Sequence, residues 1–311
     1  MLLRDLDSGS KVRATKRGKN QNNFLYSISM KKIIWISSYP KSGNTFLRAM
    51  LSAFFYSEDG IFKQDYLKNI AEFPRDFFEL KQSNNFINEI EKYETIQKKI
   101  SNTNKEIIFL KTHLANIVIN KTIPTINKDC SLCAIYIVRD PRNILLSLKN
   151  HYNIENKKCL NFLMNDKNFI CIQNKELSKG YTPILSWSTN YLSWKKQQNV
   201  NTILVKFEDL VFDQENTFIN ILNKLKKFTN FEIDKKKIEN IVKTTKFEYL
   251  RQLEEKEGFI ENKIMGIQNN NGFFFNKGGE QNFNKDLEKN IIDVVNKKYK
   301  ELLLELNYLK N

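Results

Sequence analysis

Histidine and cysteine are scarce in this chain: two of the first and four of the second among 311 residues. That scarcity excludes a zinc module. Cys130 and Cys133 form a lone C-x-x-C, with no second pair and no suitable histidine pair to complete a tetrahedral site. An apolar run, Cys133-Ala-Ile-Tyr-Ile-Val138, begins at the second cysteine, so the pair marks the start of a buried strand rather than a redox motif. Such a cysteine set suits a reducing compartment. No apolar run approaches the length that spans a bilayer. The first residues, Met-Leu-Leu-Arg-Asp, are too short for the apolar core of a signal peptide. A cytoplasmic location without a membrane anchor is the expectation. Glycine is sparse too, and the phosphate loop Gly-x4-Gly-Lys-Ser/Thr of ATP-binding proteins occurs nowhere.

A hydrophobic fraction of 41% and an aromatic fraction of 12% describe a globular chain with material for a large core. The net charge is +15. Lys and Asn are abundant throughout, and the basic residues are scattered. With no arginine-rich block and no zinc-finger or helix-turn-helix spacing, nucleic acid is not an expected partner. The charge still favours an anionic cosubstrate.

Residues 1–30 are polar and basic, carry no fold pattern and read as a disordered tail, with the folded domain over 31–311. Asp5 and Asp7 argue against an organelle-targeting peptide. Four apolar runs read as buried strands: 33–36, 106–112, 133–138 and 201–207. Helical patterns follow them: about 44–56, from Pro141 onward, 183–198, 214–227, 234–246, 247–255 and 284–306. Asp140-Pro141 is an acidic N-cap followed by proline at the first helical position. Stretches 58–105 and 153–182 are polar and read as short helices and loops, the second as an inserted loop region. Strands alternating with helices predict a single α/β domain, a central parallel sheet flanked by helices.

Three motifs carry chemistry. The apolar run Ile33-Ile-Trp-Ile36 breaks at Pro40 and Gly43, and a helix then starts, with Phe46, Leu47, Met50 and Leu51 on its apolar face. Strand, tight turn and helix opening aim free N–H groups and the helix dipole at one spot, a site for phosphate or sulfate. Lys41 adds a full positive charge inside the turn. Lys111-Thr112-His113 follows the second strand, and ligands of open parallel sheets bind at the carboxyl ends of strands. Histidine suits a general base because it titrates near neutrality. The other histidine, His151, reads as structural or solvent-exposed. Arg139 ends the third strand, Ser147 lies eight residues on in the following helix, and an arginine fork suits phosphate bidentately.

Tyr39-Pro-Lys-Ser-Gly-Asn-Thr45 resembles the first loop of the sulfotransferases that use 3′-phosphoadenosine 5′-phosphosulfate (PAPS). The Lys111-Thr-His113 and Arg139-x7-Ser147 segments are similar to two further family motifs. The likeness covers about residues 31–283 and is specific in these three places. It implies that Lys41, Ser42, Gly43, Asn44 and Thr45 grip the 5′-phosphosulfate. Arg139 and Ser147 would hold the 3′-phosphate, and His113 would be the catalytic base. Lys111 would sit close to the transferring group. Phe46 stands where members often carry a Trp against adenine. Phe207-Glu-Asp-Leu210 resembles a Tyr-Glu-Asp-Leu segment without the tyrosine hydroxyl. Thr245 and Phe247 resemble a Thr-Ser-Phe segment near the adenosine. Trp187 and Trp194 match a Trp-bearing helix and read equally well as core.

Lys277 and Gly278 resemble a late loop over the 3′-phosphate, where Asn276 replaces the family arginine. The implied reaction moves a sulfuryl group from PAPS to a hydroxyl or amine, releases adenosine 3′,5′-bisphosphate (PAP) and needs no metal. A phosphotransferase and a non-catalytic PAP- or PAPS-binding protein are the alternatives. Acceptor specificity is expected in 58–105, 153–182 and 256–275, whose Tyr66, Phe77, Phe78, Phe273 and Phe274 line an apolar pocket or belong to the core. Small alcohols, phenols, amines and lipid-linked sugars all remain open. The family's short C-terminal dimer motif is not recognisable, so the sequence does not indicate an oligomeric state.

Overall fold

The computed structural model describes residues 31–77, 80–81, 86–152, 154–173, 177–197, 199–260, 274–275 and 283–310. The expected tail 1–30 and the expected cofactor residues Lys277 and Gly278 lie outside them, as do Asn276, Phe273 and Phe78.

Among the described residues, ten strands form three sheets. β1 (Ile33–Ser38), β2 (Ala71–Glu72), β4 (Ile108–Thr112), β7 (Ser131–Val138) and β10 (Thr202–Lys206) make one parallel sheet in the order β10-β7-β1-β4-β2. β3 (Leu80–Lys81), β8 (Phe169–Gln173) and β9 (Leu177–Pro183) make a small antiparallel sheet, and β5 (Val118–Ile119) pairs with β6 (Ile123–Pro124). The central strands β1 and β7 are continuous buried runs because helices cover both faces of the sheet. Alternation along β1 sends Ile33 and Trp35 to one face and Ile34 and Ile36 to the other, and all four are fully buried.

Helix α1 (Asn44–Tyr56) packs on the Ile34 face through Leu47, Met50, Leu51 and Phe54. After α2 (Phe86–Ile90) and α3 (Lys92–Ser101), the Trp35 face is covered by α4 (Pro141–Tyr152), α5 (Asn156–Met164), α6 (Trp187–Lys196) and the terminal helix Lys289–Glu305. Trp187, Tyr191 and Trp194 all point into that core, each fully buried or nearly so. The apolar stripes of α8 (Gln214–Leu225) and α9 (Lys235–Thr244) join the Ile34 side, following the short α7 (Phe207–Phe212). Burying a large apolar side chain is worth roughly 1.5–3 kcal/mol, so these two layers hold the sheet.

Two expectations need correction. Residues 153–182 are not an inserted loop: they form α5 and the β8–β9 hairpin. Exposed Lys157, Lys158, Asn161 and Lys167 dilute the pattern, while Phe169 and Tyr181 pack on Phe86 of α2 with ring centroids 5.8 and 5.5 Å apart. The fourth strand ends at Lys206, and Phe207 instead opens α7.

Candidate active site

Parallel strands bring the ends of β1, β4, β7 and β10 to one edge. Ile36 pairs with Lys111, Ser37 with Thr112, Ser38 with Ile137, and Lys206 with Val138. The loop after β1 turns sharply there, with Lys41 at φ 67° and Gly43 at φ 91°. Gly43 is the N-cap of α1 and makes no side-chain cap, so the first-turn N–H groups of α1 open toward the loop. Asn44 fastens the turn: its Nδ2 donates to Ile36 O at 3.0 Å and to Ser38 Oγ at 3.1 Å. Ser42 Oγ and Asn44 Oδ1 are buried and make no hydrogen bond among the described residues. An anion in the loop would give the Ser42 hydroxyl its acceptor. Thr45 is buried just inside α1, and Phe46 is half-buried beside it.

His113 follows β4 and reaches back to this loop. Its Nδ1 lies 2.7 Å from Ser38 O and 3.3 Å from Ser38 Oγ. A carbonyl only accepts, so Nδ1 carries a proton, and whenever the ring is neutral its lone pair lies at Nε2. The His113 carbonyl in turn accepts from Asn190 Nδ2 at 3.0 Å. Lys111 pairs with Glu72 of β2, Nζ to Oε2 at 2.8 Å, and Arg75 bonds the same oxygen at 2.7 Å. Burial would raise the Glu72 carboxyl, but Lys111, Arg75 and His113 overcome it and hold the group well below the usual carboxylate range. Sequence reasoning missed Glu72 and Arg75, because only the sheet order sets β2 beside β4.

Arg139 comes to the loop from the other side, its Nη1 donating to Lys41 O at 2.9 Å. Its guanidinium lies 4.3 Å from the Phe207 ring centroid. Burial lowers the Arg139 guanidinium to about 10, against the raising effect of Glu208, Tyr308 and Asp140, and it stays charged at neutral pH. Phe207 also packs edge-on to Phe46 at 6.3 Å. Ser147 sits half-buried on α4.

Thr245 is fully buried at the end of α9; its hydroxyl donates to Ile241 O and accepts from Gln214 Nε2, each at 2.7 Å. Phe247 opens α10 (Phe247–Glu257) and meets Phe275 edge-on at 6.1 Å. Phe274 covers Lys41, whose Nζ lies 4.8 Å from the ring centroid, and His151 meets the same ring edge-on at 6.2 Å. Glu254 fixes this segment by accepting from Phe274 N at 2.6 Å and Phe275 N at 2.9 Å. Phe77 packs in the core beside Phe73.

Among the described residues no group of three or more His, Cys, Asp and Glu side chains forms a metal site, and no helix is long and apolar enough to cross a membrane. The four cysteines carry no disulfide.

A parallel sheet, a cationic loop at its strand tips, and a histidine and an arginine both bonded to that loop equip a protein that moves a group from an anionic donor. The sequence profile of the sulfotransferase domain matches residues 31–307, and the chain belongs to that family. Its fold is shared by the mouse sulfotransferase SULT7A1 complexed with PAP, at 19% identity and TM-score 0.55 over 88% of this chain and 84% of that one. Retinol dehydratase in complex with androsterone and the inactive cofactor PAP is similar at 14% identity and TM-score 0.56, over 87% and 80% of the two chains. Retinol dehydratase with retinol and PAP gives 15% identity and TM-score 0.57, over 87% and 81%. No curated protein matches the chain in sequence.

Proposed function

We propose that this chain transfers a sulfuryl group from PAPS to a hydroxyl or amine of a small-molecule acceptor, with His113 as base. One observation carries the reading: His113 bonds Ser38 O and Arg139 bonds Lys41 O, so a proton acceptor and a phosphate-binding fork are held on the same turn. Lys41, Ser42, Gly43, Asn44 and Thr45 bind the 5′ side of the nucleotide through the N–H groups opening α1 and the Lys41 ammonium. Arg139 and Ser147, with Lys277 and Gly278, take the 3′-phosphate. Phe46, Phe207, Thr245 and Phe247 frame the adenosine.

PAPS supplies an electrophilic sulfur on a good leaving group. His113 Nε2 accepts the acceptor's O–H or N–H proton as the oxygen or nitrogen bonds to sulfur. The bond from sulfur to the 5′-phosphate oxygen breaks, and its electron pair leaves on PAP. Lys41 neutralises that growing charge, and Lys111, held by Glu72, adds positive potential beside it. Imidazolium then returns its proton to solvent.

The test is calorimetric titration with PAP, AMP and ATP. Wild type binds PAP in preference to both, Arg139→Ala loses the preference, and His113→Ala keeps PAP binding while losing turnover. Preference for ATP would sink the reading in favour of a phosphotransferase. Retained turnover in His113→Ala would remove the base from its role.

A further inference from the structure

The last described residues fold back on the end of β7 that carries Arg139. The terminal helix closes in a Schellman turn: Asn307 adopts φ 56°, Asn307 N donates to Leu304 O at 3.0 Å and Tyr308 N donates to Leu303 O at 2.7 Å. Asparagine at the left-handed position and the two bonds fix where Tyr308 emerges. Two elements then hold this turn. Arg142 Nη2 of α4 donates to Tyr308 O at 2.5 Å, Lys206 Nζ at the end of β10 donates to Leu306 O at 2.8 Å, and the same ammonium lies 4.5 Å from the Tyr308 ring centroid.

The tyrosine hydroxyl points at Glu208, the residue after Phe207. Both Glu208 oxygens are engaged: Oε2 accepts from Tyr308 Oη at 2.6 Å and Oε1 accepts from Asp140 N at 3.0 Å. Arg139 is the residue before Asp140, and its guanidinium rests on Phe207. The Glu208 carboxylate and the Arg139 guanidinium lie near enough for each to favour the other's charge, in a buried place where a bidentate pair would be strong. Such a pair would compete with any phosphate for the arginine fork.

We propose that Tyr308 is a positioning residue for the nucleotide's 3′-phosphate: its hydroxyl pins Glu208 against the Asp140 amide and keeps that carboxylate from closing on Arg139. Burial raises the Glu208 carboxyl while Tyr308, Asp140 N and Arg139 lower it, so the anion depends on these partners. The inference rests on the assignment of Arg139 to the 3′-phosphate.

Titration of Tyr308→Phe with PAP and with AMP tests it. AMP lacks the 3′-phosphate and serves as the control. PAP affinity falls roughly tenfold, or about 1.4 kcal/mol, while AMP affinity stays within roughly twofold. Glu208→Gln provides the second arm. An amide cannot form the competing ion pair, so Tyr308→Phe added to Glu208→Gln brings no further loss of PAP affinity. Unchanged PAP affinity in Tyr308→Phe, or an equal loss for PAP and AMP, would overturn the inference and leave Tyr308 a structural contact. Failure of the wild-type protein to bind PAP would instead overturn the assignment of Arg139 itself.

Discussion

A β-carbon on Gly43 would stand 2.1 Å from Cδ2 of Phe207, and the backbone there runs at φ +91°. Both facts forbid a side chain: the first by overlap with a ring, the second by left-handed strain. The ring cannot retreat easily, since it is packed between Arg139 and Phe46. Gly43→Ala is therefore expected to destabilise the fold by about 3 kcal/mol, from backbone strain and overpacking together. Phe207→Ala carries its own cost from lost packing but opens the space, so the double variant is destabilised by less than the sum of the two single variants. Thermal denaturation of the three variants measures this; a Gly43→Ala protein as stable as wild type would show that the loop does not need its left-handed turn. The glycine was legible in sequence as part of the turn between the first strand and the first helix. Its contact with Phe207 was not, because 164 residues of chain separate them and only the β7–β10 pairing brings α7 to the loop.

At the scale of elements, the edge pair β2–β4 holds the charge network. Parallel register sets Glu72 beside Lys111. The folded protein keeps Glu72 ionised well below the acidity of the unfolded chain. The sign follows: the network stabilises the fold above the unfolded glutamate value of about 4.3, and the contribution drains away as pH falls below it. Glu72→Gln leaves Lys111 without the Glu72 counter-charge at neutral pH, while Arg75 keeps its pair with Asp76, at a cost of about 3 kcal/mol. The difference from wild type shrinks as the medium becomes acidic. Urea denaturation at neutral and acid pH checks both halves, and a constant difference across pH would rule out the ion pairs as its source.

The other two-residue and antiparallel pieces share the illegibility of β2. A strand of two residues has no period to read, and its place comes from the sheet, not from its own composition. The β8–β9 hairpin fails for another reason. Its Phe169 and Tyr181 pack on Phe86 of α2, a contact set by tertiary structure and not by any local period, and the Lys- and Asn-rich sequence around it reads as polar loop. Strands β1, β4, β7 and β10 were legible because a parallel sheet covered on both faces needs unbroken apolar runs, and Trp35 and Ile36 have no other reason to adjoin.

At the scale of the whole molecule, the three motifs belong together because each ends a strand of one parallel sheet. The sequence carries the strand ends; their adjacency, and the bonds from His113 and Arg139 to the loop, come from strand order. The same scale sets a consequence of charge. A net +15 spread over one chain repels itself, and salt screens that repulsion, so thermal stability of the ligand-free protein rises with added sodium chloride. PAP binding moves the other way. In the proposed site its phosphates are drawn by Lys41 and Arg139 and by the wider positive field, and the field's share fades as the Debye length shrinks from about 10 Å at 0.1 M to about 3 Å at 1 M. The buried Arg139 contact is screened least, so affinity should fall to a plateau rather than to nothing. Melting temperature and PAP dissociation constant measured over the same salt series should therefore diverge, the first rising and the second weakening and then levelling. A dissociation constant that weakens without limit would place the nucleotide on the exposed basic surface and away from the loop.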